Sequence, residues 1–289
     1  MEEDIKSFLD YLVSDKKYSK NTLAAYNNDL SQLSDYVKSQ STASTSDFAE
    51  PKLNAQILSG YLQNLRTRRY TPSTVARKIA AAKSFLKFMI KRGKLRSDLA
   101  PSLASPQVNK PLPKPLSVSE VRRLLSEPAK SSTIDAKRDK TMLELLYATG
   151  LRASELMALN IKDVDTKRNA VRCVGTGSKT RVVPIDSSIA RLVKEYVDAV
   201  RPELMNDEKE TALFLNRRGE RLTRQGFWQI VQGYADKVEL SGKVTPRSLR
   251  HSFAAHKLKS GVDLQSVQEL LGHAHISTTR AYTQVELSP

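Results

Sequence analysis

The sequence predicts a mainly α-helical protein with a small antiparallel β-sheet, divided into two domains. Apolar residues recur three or four positions apart along most of the chain, whereas β-rich runs are confined to residues 171–185. Five prolines between residues 99 and 116 exclude a regular helix there and indicate a linker. A length of 289 residues suits one large or two ordinary domains. We therefore expect a helical domain at 1–98, a proline-rich linker at 99–116 and a second domain at 117–289.

The first domain is predicted to hold four short helices. Apolar faces run through residues 5–12, through 23–37 after Ser19, and through 57–65. Thr71-Pro72 has the residue types of a helix cap and first turn, and Gly93 can end the helix that follows.

The second domain is predicted to be helical around one β-hairpin. It opens with the capping-box pattern Ser117-Val118-Ser119-Glu120. Gly150 can end a helix through residues 142–146, and a short helix follows at 154–159. The runs 171–174 and 181–185 flank Gly175-Thr176-Gly177-Ser178 and predict the hairpin. Helical patterns return at 189–197, 227–234 and 263–271, and Ser277 is expected to cap a last segment that bears Tyr282.

Charge points to a polyanionic partner. The chain carries a net +16, distributed as −4 over residues 1–50, +12 over 51–110 and +8 over 111–289. A concentrated basic segment attracts a polyanion and releases its counterions, which favours nucleic acid over the alternative of a merely soluble basic surface. On the helix at 71–90 we predict contacts with the DNA backbone, the alternative being an ordinary solvated helix face. The predicted residues are Arg77, Lys78, Lys83 and Lys87.

Several classes of protein are not expected. No apolar run approaches the length of a membrane span, and the acidic start of the sequence is unlike a signal peptide. The single cysteine, Cys173, excludes an internal disulfide framework, so a reducing cytoplasm is expected. All four histidines lie between residues 251 and 275, but their spacing is not that of a zinc site. We predict neither a metal nor another cofactor.

Four ordered motifs resemble the signature of the tyrosine recombinases of the phage-integrase family, most closely its Xer-like branch. The resemblance covers nearly the whole chain and implies a C-shaped clamp of a four-helix core-binding (SAM-like) domain and a catalytic domain. It also implies that Arg152 and Arg250 grip the scissile phosphate, that His273 hydrogen-bonds it, and that Tyr282 attacks it to leave a 3′-phosphotyrosyl link. The motifs are Ala148-Thr149-Gly150-Leu151-Arg152-Ala153-Ser154-Glu155-Leu156, Leu249-Arg250-His251-Ser252-Phe253-Ala254, Leu271-Gly272-His273 and Thr278-Thr279-Arg280-Ala281-Tyr282.

The chemistry of these residue types agrees with the implied roles. Phosphoryl transfer concentrates charge on the non-bridging oxygens, which guanidinium forks match in geometry and charge. Phenol is a poor nucleophile at neutral pH, and neighbouring arginines make its phenolate easier to form. A phosphotyrosine retains a phosphodiester bond, so resealing needs no ATP, and the sequence has no Walker-type loop.

Three departures from the family pattern affect the expected activity. The hairpin lysine that protonates the leaving 5′-oxygen is Thr176 here, and Lys179 is a candidate substitute. The histidine three residues before the second arginine is Arg247, which keeps a phosphate donor but loses a base near neutral pH. General acid–base help is worth roughly 10²–10⁴-fold, so slow chemistry is expected. Seven residues follow Tyr282, so the C-terminal helix that many relatives dock into a neighbour is expected to be missing.

The function that the sequence favours is site-specific DNA recombination by a homo- or hetero-tetramer on double-stranded DNA. Thr176 and Arg247 keep open a recombinase-derived protein that binds DNA with weakened or no catalysis. A type IB topoisomerase-like enzyme shares the chemistry and is a further alternative.

Overall fold

The fold class predicted from the sequence is confirmed: the chain is mainly helical with one small antiparallel sheet. The computed structural model describes residues 1–16, 18–41, 53–95, 97–108, 114–175 and 180–283. By their internal contacts they form two compact units, Met1–Lys110 and Pro111–Pro289. No helix of the described residues is long and apolar enough to span a bilayer.

The N-terminal unit contains the four predicted helices, α1 (Glu2–Ser14), α2 (Lys20–Ser41), α3 (Ala55–Thr67) and α4 (Pro72–Lys91). The Thr71 side chain accepts a hydrogen bond from the Thr74 amide at 3.3 Å and caps α4, as its sequence predicts. The apolar faces of the helices meet in one core. Leu103, within the segment predicted to be a linker, is buried in that core.

The C-terminal unit combines one small sheet with a series of helices. Ser117 and Glu120 form the predicted reciprocal capping box at the start of the first of these helices. The helices are α5 (Val118–Ser126), α6 (Ile134–Thr149), α7 (Ala153–Ala158), α8 (Ser187–Glu195), α9 (Arg201–Leu204), α10 (Arg224–Lys237), α11 (Pro246–Lys259), α12 (Leu264–Leu271) and α13 (Ile276–Arg280).

The sheet has the order β1 (Val164–Asp165), β2 (Ala170–Val174) and β3 (Thr180–Pro184), all antiparallel. Val171 pairs with Val183, and both side chains are buried in the core of the unit. Val174 and Val182 lie on the opposite, exposed face. The strand β1 was not predicted, since two residues carry no detectable alternation. Thr176 and Lys179, between β2 and β3, lie outside the described residues.

Two glycines position the segments that carry site residues. Gly150 ends α6 with a left-handed φ of 59°, and a Cβ there would lie 2.3 Å from the Phe253 ring. Gly272 ends α12 with a φ of 64°, and a Cβ there would lie 2.8 Å from the Arg181 guanidinium. The positive φ favours glycine at both positions, and at Gly150 the Phe253 ring also leaves no room for a Cβ.

The prediction for the last segment was wrong in its boundary. His275, not Ser277, is the N-cap of α13, and Ser277 lies inside the helix. Tyr282 is in the turn after α13, where its amide donates to the Thr279 carbonyl at 3.0 Å. Ser277 was predicted to be the N-cap because serine is favoured at that position, but serine is also tolerated in the first turn of a helix.

Candidate active site

Arg152 stands at the start of α7, immediately after the turn that Gly150 makes. Its backbone amide donates to Glu155 Oε2 at 2.8 Å, and its Nη1 donates to Glu155 Oε1 at 2.8 Å. Its Nη2 donates to the Gly272 carbonyl at 3.3 Å. The side chain is 35% exposed. Both terminal nitrogens of the guanidinium are thus hydrogen-bonded to protein, while part of the side chain faces solvent.

Arg250 lies on α11 and is buried, with 6% of its surface exposed. Its Nη1 and Nη2 donate to the carbonyl oxygens of Gly150 and Leu271, each at 2.6 Å. Burial lowers the pKa of Arg250 to about 10, and the charge of Arg152 acts in the same direction. The group remains a cation at neutral pH, and its five N–H donors exceed the two carbonyl acceptors.

The buried carboxylate of Glu155 binds the arginines together. Arg181 on β3 donates to both of its oxygens, at 2.9 and 2.8 Å, in a two-point ion pair. Arg250 Nη1 lies 3.7 Å from Glu155 Oε2. Burial alone would raise the pKa of Glu155, but the hydrogen bonds and charges of Arg181 and Arg152 outweigh it and lower the pKa to about 2. The carboxylate is therefore ionised throughout the neutral range and fixes the guanidinium positions.

His273 follows the Gly272 turn and faces the same region. Its Nδ1 lies 2.9 Å from the Thr279 Oγ1, and the Thr279 side chain is buried. Burial, together with the charges of Arg250 and Arg152, lowers the pKa of His273 to about 4. The ring is therefore neutral near pH 7, and Thr279 determines which way it points.

Tyr282 is 5% exposed, and its hydroxyl contacts a histidine that the sequence did not single out for catalysis. Tyr282 Oη lies 2.5 Å from Nδ1 of His251. Burial raises the pKa of Tyr282, while Arg250, Arg247 and Arg152 act to lower it. The arginines thus offset part of the cost of burying a phenolate.

Arg247 is exposed and does not stand alone. Its Nε donates to Nε2 of His251 at 3.1 Å, one helical turn away on α11. His251 therefore links Arg247 to Tyr282 through a hydrogen bond at each of its two ring nitrogens.

A cleft with a volume of about 820 Å³ lies in this region. Arg152, Arg250, His273 and Tyr282, far apart in the sequence, converge there as the sequence predicted, and Arg247 lies beside them. Further lining side chains include Arg224 and the half-exposed Trp228 of α10. Within the residues that the structure describes, no group of three or more His, Cys, Asp or Glu side chains is placed to hold a metal ion.

The predicted DNA contacts on α4 do not all face solvent. Lys78 is buried, and its ammonium donates to Asp29 at 3.0 Å and to Gln32 at 2.8 Å. Its predicted role as a surface contact is contradicted by this burial. Arg77 is exposed but also pairs with Asp29. The Lys83 side chain is half-buried and that of Lys87 exposed, so these two keep the predicted role.

Three residues of the site were missed by sequence reasoning: Glu155, Arg181 and His251. A carboxylate three positions after Arg152 has capping-box spacing at the start of a helix, which is a detectable signal for Glu155. His251 was noted among the four clustered histidines and within the second motif, but was given no catalytic role. Arg181 was seen only as a strand residue, and no local pattern indicates that it reaches Glu155.

Comparison with known proteins identifies the class. Residues 114–288 match the Phage integrase family, and residues 5–93 match the Phage integrase N-terminal SAM-like domain. Tyrosine recombinase XerC of Roseiflexus castenholzii is 46% identical over 287 residues, which cover 99% of this chain and 90% of that protein. Tyrosine recombinase XerD of Oceanobacillus iheyensis is 40% identical over 286 residues, covering 99% and 94%.

A solved structure shows the same fold. The XerH site-specific recombinase bound to its difH substrate, in a pre-cleavage complex, superposes with a TM-score of 0.73 at 23% identity, covering 98% of this chain and 92% of that one. Fold and cleft together define the class as the tyrosine recombinases. The chain belongs to the phage integrase family, and the Xer-like resemblance predicted from its motifs is confirmed.

Proposed function

We propose that this chain is a site-specific DNA recombinase that cuts and rejoins strands through Tyr282. The observation that carries the proposal is the convergence of Arg152, Arg250, His273 and Tyr282 on one cleft. Relatives that are 46% and 40% identical and are named as tyrosine recombinases support the same activity for this chain.

The scissile phosphate binds between the two cleft arginines. Arg152 presents a partly exposed fork, and Arg250 a buried one whose remaining N–H groups are available to the non-bridging oxygens. His273 donates to the phosphate through Nε2–H. That tautomer requires the Thr279 hydroxyl to donate to Nδ1, which the 2.9 Å contact permits.

Tyr282 Oη attacks phosphorus, the bond to the 5′-oxygen breaks, and a 3′-phosphotyrosyl link and a free 5′-hydroxyl result. Rejoining is the reverse attack by a 5′-hydroxyl. The energy of the phosphodiester is retained in the tyrosyl link, so the cycle needs no cofactor.

We expect the strand cleavage to be slow. Thr176 cannot protonate the leaving 5′-oxygen efficiently, and Arg247 stays charged where a relative's histidine could accept a proton. Losing one acid or base costs roughly 10²–10⁴-fold. Lys179 remains the candidate acid.

The partner is double-stranded DNA, which the protein would cut as a homo- or hetero-tetramer on two sites. The basic segment at 51–110 supplies the long-range attraction, and Lys83 and Lys87 are the proposed backbone contacts of α4. A DNA substrate also fits the predicted cytoplasmic location.

The decisive experiment is a trapping assay with the wild-type chain and Tyr282→Phe. Duplexes selected from a random pool by binding are nicked at successive positions, so that the short 5′-hydroxyl strand is lost after cleavage. We expect a covalent protein–DNA adduct with the wild type and none with Tyr282→Phe, while both bind the duplex equally. An adduct of undiminished yield with the phenylalanine variant would overturn the role of Tyr282.

Two further assays separate the alternatives. A DNA-binding protein without catalysis gives no adduct, and a double variant with Thr176→Lys and Arg247→His would still give none. A topoisomerase-like enzyme would relax a supercoiled plasmid that lacks the selected site, whereas a recombinase would not.

A further inference from the structure

Arg247, His251 and Tyr282 form a hydrogen-bonded chain. Nε of Arg247 lies 3.1 Å from Nε2 of His251, and Nδ1 of the same ring lies 2.5 Å from Tyr282 Oη. Arg247 and His251 are four residues apart, so both project from the same side of α11. The His251 and Tyr282 rings are 5.2 Å apart between centroids.

This arrangement fixes the tautomer of His251. A guanidinium nitrogen can only donate, so Nε2 must accept from Arg247. Burial, together with the charges of Arg247 and Arg250, lowers the pKa of His251 to about 4, so the ring is neutral near pH 7. The one ring proton is therefore on Nδ1, and Nδ1–H donates to Tyr282 Oη.

We propose that His251 is a catalytic residue that stabilises the Tyr282 phenolate by donating a hydrogen bond, and that Arg247 is the positioning residue that holds it in the donating tautomer. This inference rests on the proposed role of Tyr282 as nucleophile. It also gives Arg247 a use that differs from a direct grip on the phosphate.

The step balances without a base at His251. The phenol proton is lost to solvent, because Nδ1 already carries a hydrogen and Nε2 is occupied by Arg247. The phenolate oxygen then forms a bond to phosphorus as the bond from phosphorus to the 5′-oxygen breaks. The leaving 5′-oxygen takes up one proton and becomes the free 5′-hydroxyl. The net proton count is unchanged, and the hydrogen bond from Nδ1 passes from the phenolate to the phosphotyrosyl ester oxygen.

The charges that face this oxygen come from separate elements. Arg247 and Arg250 approach from α11 and Arg152 from the start of α7, and all three lower the pKa of Tyr282 against the effect of burial. The His273 ring, after α12, stacks on Tyr282 with centroids 6.4 Å apart. A phenolate here is thus surrounded by cations and by one neutral donor.

The first test is a matched pair of variants, His251→Asn and His251→Leu. The two replacements have nearly the same shape, but only asparagine offers an N–H where Nδ1–H stood. The substrate is the nicked duplex with sulfur in place of the bridging 5′-oxygen, because a thiolate leaves without a proton and the rate then reports on the nucleophile. We expect His251→Leu to be slower by roughly 10²–10³-fold and His251→Asn to remain within about tenfold of wild type.

The pH profile of the wild type on the same substrate distinguishes a donor from a base. With saturating DNA, the rate should rise about tenfold per pH unit between about pH 6 and 9, because phenolate must form by loss of a proton to solvent. A histidine base with its pKa near 4 would give a flat profile over that range.

The role of Arg247 is tested by a spectroscopic signature that needs no DNA. The chain has four histidines, so ¹⁵N-histidine spectra are tractable, and the His251 signals are assigned by their loss in His251→Asn. We expect a protonated Nδ1 and an unprotonated Nε2 in the wild type, and a shift toward protonated Nε2 in Arg247→Met. The control is Arg280→Met. Arg280 is an exposed arginine seven residues after His273, and its replacement should leave the His251 signals unchanged.

The outcomes separate this inference from the proposed function. No adduct with wild type on either substrate would refute the proposed function itself. An adduct with wild type, together with equal losses in His251→Asn and His251→Leu, would refute the donor role alone. A wild-type spectrum with Nε2 protonated would refute the positioning role of Arg247.

Discussion

Replacing Glu155 with glutamine should test whether one buried carboxylate holds the arginines of the cleft in place. Glutamine keeps the shape and one oxygen acceptor but removes the negative charge. Arg181 then loses its two-point ion pair, and Arg152 and Arg181 are left with one acceptor oxygen where the carboxylate offered two. We expect the C-terminal unit to be less stable and the arginines of the cleft to be held less firmly in place.

The magnitude follows from the pKa of Glu155, which falls from 4.5 to about 2 on folding. Each pKa unit corresponds to about 1.4 kcal/mol, so the ionised carboxylate stabilises the fold by about 3 kcal/mol at pH 7. Because the folded pKa is the lower one, this stabilisation is complete above pH 4.5 and is lost as the pH falls toward 2. At pH 3 about 1 kcal/mol remains.

Thermal melts of wild type and Glu155→Gln measure the effect. For a unit of this size, 3 kcal/mol corresponds to a fall in Tm of about 6–12 °C at pH 7, and the difference should shrink at pH 3. Glu144→Gln is the matched control, since burial raises the pKa of Glu144 and its removal should cost nothing at pH 7. Equal Tm values for wild type and Glu155→Gln at pH 7, or a difference that does not change with pH, would refute the reasoning.

Three further predictions concern the turn, the histidine and the DNA contacts. Gly150→Ala forces a Cβ to within 2.3 Å of the Phe253 ring at a positive φ, so Tm should fall and strand cleavage should decrease, with Gly233→Ala as an open-space control. Thr279→Val removes the partner of His273 Nδ1 and should lower the cleavage rate with little change in DNA affinity, as measured on the nicked duplex. Lys87→Gln should reduce the slope of log affinity against log salt by about one unit; an unchanged slope would place Lys87 off the DNA.

Much of the fold could be predicted because its signals are local. The cap at Thr71, the capping box of Ser117 and the left-handed Gly150 each act within a few residues, and all three were located from the sequence. The strand β1 and the start of α13 were not located from the sequence, because both depend on packing rather than on a local pattern. The burial of Lys78 could not be predicted for the same reason. A lysine on a basic helix is expected to be exposed, and only the tertiary structure shows that Asp29, on another helix, pairs with it.

The four residues implied by the motifs converge on the cleft, but the contacts that fix them could not be predicted. Arg181 and Glu155 are 26 residues apart, and Arg250 reaches the Gly150 carbonyl across 100 residues. Such contacts are determined by tertiary structure, and spacing along a helix or strand carries no information about them. His251 shows most clearly what the sequence cannot predict. The adjacent Arg250 was identified from its motif, but the contact between His251 and Tyr282 was not.

On the proposed mechanism, the charge balance of the cleft would favour phosphoryl transfer even with Thr176 at the position expected to hold the acid. Arg152, Arg181 and Arg250 surround the single carboxylate of Glu155, which leaves a net charge of about +2 in the cluster, while His273 is neutral near pH 7. A phosphodiester carries one negative charge in the ground state, and attack by a phenolate brings a second to the reacting group. The cluster therefore interacts more strongly with the transition state than with bound DNA, which is the requirement for catalysis. What the arginines cannot supply is a proton for the departing 5′-oxygen. The described residues thus supply the electrostatic part of the proposed mechanism, on which the rate of proton delivery should decide how fast this recombinase cuts.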